Sequence, residues 1–179
     1  MYAVAEDSLF ILSLVESVKV DRVIEVGVGS GFVLNEYFKS NSPSLAVGTD
    51  ISPDALKVAL TRIGGEAEVE FVLCESCDAF RFDCFELVYF NPPYLMDEEV
   101  KDDVVSGGVR GIEKTLDMME SSYKSLSTDG KMVFLVSTLS KWKGVVEKAS
   151  KMGEEARVLG TKKLFFEELM GIQIMKKGR

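Results

Sequence analysis

The chain has 179 residues, 46% of them apolar, and a formal net charge of −8. That length and apolar fraction suit one domain with a full core and exclude a disordered chain, and no run of about 18 apolar residues is present to cross a bilayer. The acidic balance argues against a protein that grips many phosphates, and the absence of histidine removes histidine-based triads and the commonest transition-metal ligand. The opening "MYAVAEDSLF" carries Glu6 and Asp7 but no basic stretch, so a secretory signal is not expected and a cytoplasmic protein is. The three cysteines, Cys74, Cys77 and Cys84, are expected as small apolar residues in a reducing compartment. Cys74 and Cys77 have the spacing of half a zinc site, but no second pair exists, so no metal is expected.

The predicted elements alternate along the chain. "SLFILSLVESV" is an amphipathic helix with Asp7 or Ser8 near its cap. "DRVIEVGV" is a buried strand, residues 31–40 a helix, and "SLAVGTDI" a second strand. Pro53 to Ile63 is a helix with Ser52 as N-cap and proline at its first position. "EVEFVLCE" and "FELVYF" are strands, 111–127 a helix, "GKMVFLVST" a strand, and Trp142 to Met152 a helix. "EARVLGTKKL" and "EELMGIQIMKK" close the chain as two successive strands. Strands alternating with helices predict a mostly parallel sheet covered on both faces. The two adjacent strands at the end predict one antiparallel pairing added to it. No linker or repeat interrupts this pattern, so residues 1–179 are expected to form a single domain.

Three features fall at the carboxyl ends of the predicted strands, where open α/β sheets bind ligands. "VIEVGVGSGF" places Gly27, Gly29 and Gly31 straight after the first strand, with Glu25 two residues ahead of the first glycine. Phe32 stands where a dinucleotide fingerprint would need glycine, so this loop alone is a weak signal, and a ligand-free glycine turn is its plain alternative. Asp50 ends the second strand, where a carboxylate can accept both ribose hydroxyls or can serve the amino end of the helix that follows. Asn91-Pro92-Pro93-Tyr94 ends the fourth. Two prolines make that exit rigid and remove two ladder donors.

With these residues in place, the chain resembles the class I S-adenosylmethionine-dependent methyltransferases over essentially its whole length. The carrying residues are Glu25-Val-Gly27-Val-Gly29-Ser-Gly31, Asp50-Ile51 and Asn91-Pro92-Pro93-Tyr94. "YAVAEDS", "SGGVRGIEKTLDMM" and "GTKKLFFEELMGIQIMKK" are similar to the opening, middle and closing segments of the HemK-type protein-glutamine methyltransferases, most of all their short archaeal and eukaryotic branch. Val4 stands where that group usually has proline, Cys74-Glu75 where it usually has Thr-Asp, and Gly-Gly-Val-Arg-Gly departs slightly from its pattern.

The resemblance implies a Rossmann-like fold with a seven-stranded, mostly parallel sheet, the last strand antiparallel, and helices on both faces. It implies S-adenosylmethionine as cofactor and S-adenosylhomocysteine as product. Glu25 then lies near the methionine ammonium group, and Gly27 and Gly29 lie under the cofactor. Asp50 holds the ribose, Ile51 packs on the adenine, and Glu75 faces the adenine amine with Asp78 as its competitor. Tyr2 and Ser8, in the region 1–18, cover the methionine end, although a residue as near the terminus as Tyr2 can simply fray. The Asn91 side-chain oxygen and the Pro92 carbonyl accept the two N–H bonds of the acceptor nitrogen. Pro93 fixes the corner, Tyr94 offers a π face, and Gly107 and Gly108 let a narrow Gly-Gly-Gln-like loop come close.

The implied reaction is N-methylation of the glutamine amide of a class I translation release factor. A nucleic-acid amino-methyltransferase, a protein lysine methyltransferase and a cofactor-binding scaffold without catalysis are the alternatives. The acidic charge and the lack of a target-recognition domain make nucleic acid the less favoured substrate. Glu68 to Glu75, "EVEFVLCE", should be an edge strand with Phe71, Val72 and Leu73 making it apolar on both faces, an aggregation hazard unless covered. Either neighbouring helices cover it or, as the family implies, a small zinc-binding activator subunit pairs there.

Overall fold

Strands that are apolar on both faces need helices on both sides, and the middle of this chain supplies both. The computed structural model describes residues 5–64, 68–93, 112–153 and 156–178. In chain order it shows α1 (Glu6–Val15), β1 (Arg22–Val26), α2 (Phe32–Asn41), β2 (Leu45–Asp50), α3 (Pro53–Ile63), β3 (Val69–Leu73) and β4 (Phe85–Phe90). After these come α4 (Glu113–Ser125), β5 (Leu126–Ser137), α5 (Trp142–Met152), β6 (Arg157–Lys163) and β7 (Glu168–Met175). The strands form one seven-stranded sheet in the order β3-β2-β1-β4-β5-β7-β6. Pairings from β3 through β5 are parallel. The last strand, β7, is antiparallel to both its neighbours.

Two apolar layers hold the helices to the sheet. On one face Leu87 and Tyr89 of β4 join Val133 and Leu135 of β5, under Phe10, Ile11 and Val15 of α1 and Leu34 and Tyr37 of α2. On the other, Val88 and Phe90 join Met132, Phe134 and Val136, under Met119 of α4 and Val145 and Ala149 of α5. Phe90 and Phe134 stack with ring centroids 5.2 Å apart. Among the described residues no helix is long and apolar enough to cross a membrane.

The structure corrects three details of the sequence reading. The first helix starts at Glu6, with Ala5 as its N-cap and no side-chain cap. Asp7 therefore sits in the first turn, not at the cap, and its carboxylate is used elsewhere. β5 begins at Leu126, four residues ahead of "GKMVFLVST", because the ladder with β4 jumps from Phe85↔Leu126 to Leu87↔Lys131. The bulged Ser-Thr-Asp-Gly between reads as a turn in sequence. The closing strands make two antiparallel pairings instead of one, because β7 inserts between β5 and β6.

Gly31 starts α2 with φ +71°, and a Cβ there would lie 2.8 Å from Ala59 Cβ and 2.9 Å from its Cα. Gly29 has a similar left-handed φ of +51° but open space around it. Gly31→Ala should therefore cost about 1–3 kcal/mol for the strained backbone plus an added clash between α2 and α3, and Gly29→Ala the strain alone. Equal urea midpoints for the two variants would show that the close packing of Gly31 on α3 is not what the position requires.

Candidate active site

β1 lies between β2 and β4, and its ladders set the level of all three strand ends. Val26 pairs with Thr49 on one side and with Phe90 on the other. The next residues along the three strands are Gly27, Asp50 and Asn91. They share one level at the carboxyl edge, where the connections after β1 and after β4 leave in opposite directions, a topological switch point.

The glycine loop is held by its neighbours. Val28 N–H donates to the Thr49 carbonyl at 2.8 Å, and Gly31 N–H to the Val28 carbonyl at 2.8 Å. The Asp50 carboxylate accepts the Gly29 N–H at 3.0 Å through one oxygen and the Ser52 N–H at 2.9 Å through the other. Asp50 thus fixes the loop and the start of α3 while each oxygen keeps a further lone pair for a ligand hydroxyl. Gly27 and Gly29 both have positive φ, and a Cβ on either would meet nothing closer than 4.0 Å. Bare backbone therefore faces open space at these two positions, whereas Gly31 serves packing.

Beyond Asp50, Ile51 is 65% exposed although apolar. Asp50 pairs with Leu73 in the neighbouring strand, which brings the loop after β3 alongside. Glu75 in that loop is exposed. Asp78 is tied instead to α4, accepting the Ser121 hydroxyl at 2.6 Å. Of the two competitors, Glu75 is the carboxylate without a partner among the described residues. Cys77 is buried, burial pushes its thiol up to about 11, and it packs beside Ser122.

Glu25 lies on the face of β1 that carries Tyr89 and is only 7% exposed. The Tyr89 hydroxyl donates to Glu25 Oε2 at 3.4 Å. Burial pushes the Glu25 carboxyl up to about 8, against the pull of the Leu34 N–H and the Tyr89 hydroxyl, and the Asp50 charge adds to the rise.

Asn91 leaves β4 with its side chain half fixed. Its Nδ2 donates to Asp7 Oδ2 of α1 at 2.7 Å. Its Oδ1 is buried without a hydrogen-bond partner among the described residues. Pro92 beside it is buried. Ser8, the residue after Asp7, donates its N–H to Asp7 Oδ1 at 2.7 Å, so it sits one residue from the Asn91 contact. Asp7 touches Asn91, a contact the sequence does not signal, because an acid near a helix start already has a local role there. The sites expected at Tyr2, Tyr94, Gly107 and Gly108 lie outside the described residues.

A bare left-handed glycine cradle, a carboxylate with free lone pairs, an exposed Ile51 and an orphaned amide oxygen fit a nucleoside-bearing methyl donor opposite an N–H acceptor. Comparison with known proteins agrees. No family model matches the chain. The chain is similar in fold to the Mtq2–Trm112 complex of E. cuniculi, responsible for methylating the eRF1 translation termination factor. That match has a TM-score of 0.81 at 24% identity, covering 98% of each chain. It is also similar to the N-methyltransferase NodS of Bradyrhizobium japonicum solved with S-adenosylhomocysteine, with a TM-score of 0.68 at 16% identity, covering 97% of this chain and 87% of that one. The fold is that of the class I methyltransferases.

A relative of Methanocaldococcus jannaschii, named as a protein N5-glutamine methyltransferase, is 30% identical over 182 residues, 96% of this chain and 90% of its own. The chain belongs to the protein N5-glutamine methyltransferase family. A release factor glutamine methyltransferase of Koribacter versatilis is 32% identical over 105 residues, 51% of this chain and 38% of its own.

The Glu25 environment generates a pH test. The folded chain keeps this proton up to about pH 8 while an ordinary carboxyl loses it near 4.5. Between those values the folded state binds more protons than the unfolded one, so stability from this group is full below the lower value and is lost as pH rises through the upper. Glu25→Gln keeps the shape and cannot ionise. Its melting temperature should fall less than the wild type's between pH 5 and 8. Parallel melting curves for the two proteins would show that Glu25 ionises normally in the fold.

Proposed function

We propose that the chain methylates the side-chain amide nitrogen of a glutamine in the Gly-Gly-Gln loop of a class I translation release factor, with S-adenosylmethionine as donor. The observation that carries this reading is Asn91 Oδ1, a buried amide oxygen with no partner. Leaving such a group unpaired costs about 1–3 kcal/mol. An acceptor N–H bound there would relieve it.

When bound, S-adenosylmethionine would supply an electrophilic methyl on a sulfonium, the S–C electron pair staying on sulfur as the acceptor nitrogen takes the methyl. What the chain must supply is a usable nitrogen lone pair, because in an amide that pair is delocalised into the carbonyl. Asn91 Oδ1 accepting one N–H and the Pro92 carbonyl accepting the other would turn the lone pair toward the methyl group. As positive charge grows on nitrogen both hydrogen bonds strengthen, so they act mainly on the transition state. The methylated nitrogen then releases one proton toward solvent, and no histidine is needed. On the donor side Gly27 and Gly29 provide the floor, Asp50 the ribose hydroxyls' acceptor, Ile51 an apolar face for the base, and Glu75 an acceptor for its amine. Glu25 and Ser8 complete the methionine end. The relatives' names support a protein glutamine as acceptor over adenine, guanine or lysine.

Transfer of tritium from labelled donor to a release factor, to the same factor with that glutamine replaced by alanine, and to RNA tests the reading. Label in the intact factor alone is expected. Asn91→Ala should lower turnover about 10²–10³-fold, with little change in KM and with product-cofactor affinity retained. Near-normal turnover by this variant would sink the amino-methyltransferase assignment.

A small partner subunit on β3 is the second part of the proposal. β3 is an edge strand, Leu73 on it is 56% exposed, and Phe71 and Val72, on opposite faces of it, are only half covered. Glu70 is the single charge within the strand, and a half-covered edge of this kind is a template for another strand. The structural likeness to one half of the Mtq2–Trm112 complex supports a small activator as the occupant, and the family resemblance implies that it binds zinc. Leu73→Lys should keep the chain monomeric at high concentration and abolish co-purification with a co-expressed activator, leaving cofactor binding intact. Unimpaired co-purification would place any partner elsewhere.

A further inference from the structure

We propose that Asp7 is a positioning residue that orients the Asn91 side chain, so that its amide oxygen and not its amide nitrogen faces the acceptor. This rests on the proposed methyl transfer. The two ends of an asparagine amide have nearly the same shape, and hydrogen bonds alone choose between them. A carboxylate can only accept. Asp7 Oδ2 therefore demands the NH₂ end of Asn91, and the 2.7 Å separation is that of a charge-assisted bond. With the nitrogen end held, Oδ1 points away from Asp7, and that is the atom left buried and unpartnered. Were the amide reversed, the site would present two donors to an acceptor nitrogen that itself carries two N–H bonds, and transfer would be blocked.

Asp7 is itself held. Its second oxygen takes the Ser8 N–H at 2.7 Å, so both carboxylate oxygens are engaged. α1 is anchored by Phe10, Ile11 and Val15, all buried. Its amino end is tied to β6, where Lys162 Nζ donates to the Glu6 carbonyl at 3.1 Å and pairs with the Glu6 carboxylate at 3.4 Å. The contact thus joins the first helix to the exit of β4 across 84 residues of sequence. The carboxylate also polarises the amide it touches, which makes Oδ1 a better acceptor as the nucleophile gains positive charge.

The plain alternative is that Asp7 merely serves the positive end of α1. Glu6 occupies the same first turn and would serve it equally. The two accounts separate in Asp7→Asn and Asp7→Ala, measured by melting temperature, S-adenosylhomocysteine affinity, steady-state kinetics on a release factor, and the side-chain amide resonances of Asn91. Positioning predicts a fall in turnover of about 10–10²-fold in both variants, with KM and product affinity nearly unchanged. It also predicts faster hydrogen exchange of the Asn91 amide protons. In an Asn91→Ala background, Asp7→Ala should cost nothing further, because the group it positions is gone.

Wild-type turnover in Asp7→Ala, beside an Asn91→Ala variant that is inactive, would overturn the inference alone. So would a loss that adds in full to that of Asn91→Ala. Normal turnover in Asn91→Ala would instead overturn the proposed reaction. In that case unchanged Asn91 amide exchange in Asp7→Ala would independently overturn the orienting contact.

Discussion

Val26 is bonded through its backbone to strands on both sides, level with Thr49 and with Phe90. The rest of the site depends on that register. A slip of one residue in either ladder would turn alternate side chains to the wrong face. It would also move Asp50 or Asn91 about 3.3 Å along the sheet, outside hydrogen-bond reach of a ligand resting on Gly27 and Gly29. The apolar faces enforce the register. Tyr89 and Leu87 must enter one layer and Val88 and Phe90 the other. The core positions the chemistry by leaving the strands no other alignment.

Against that rigid background two polar groups are kept at a disadvantage. Glu25 is buried beside Tyr89 with its carboxyl pushed up to about 8, and Asn91 Oδ1 is buried without a partner. Both lie at or next to the strand ends that meet at the switch point. A fold selected for stability alone would replace either with an apolar residue of similar size, since buried polar groups are costly unless paired. Their place in the row beside Gly27 and Asp50 gives the cost a purpose. Ligand groups can satisfy what the protein leaves unsatisfied.

Much of this was legible in the sequence. α3, α5 and β4 have the predicted bounds because their signals are local: Ser52-Pro53 at a helix start, amphipathic spacing from Trp142, and an apolar run stopped by proline at Pro92. Strand order and the edge position of β3 followed from the resemblance, not from spacing. The start of β5 was hidden because Ser-Thr-Asp-Gly has turn chemistry, and only pairing with β4 recruits the residues around it. Spacing alone could not show the insertion of β7 between β5 and β6, since adjacency in sequence says nothing about which edge a hairpin takes. Asp7 was seen but misread. A carboxylate near a helix start has a sufficient local explanation, and its bond to Asn91 spans 84 residues.

The two edges of the sheet are finished differently. β6 carries Arg157, Lys162 and Lys163 along its length, and long cations on an edge discourage pairing with another chain. β3 carries one charge, the exposed Glu70, and ends in Phe71, Val72 and Leu73. This more apolar edge is also the one beside the proposed adenine subsite, because Leu73 pairs with Asp50, Ile51 follows β2 directly and Glu75 lies two residues past β3. A strand added to β3 would therefore do more than cover apolar surface. It would stiffen the loop that presents Glu75 and screen the exposed side of Ile51 from water, so partner and cofactor would each favour the arrangement the other needs. Any such coupling would be reciprocal by thermodynamic necessity, and under the proposed function it would make the exposed edge part of the site instead of a flaw in the fold.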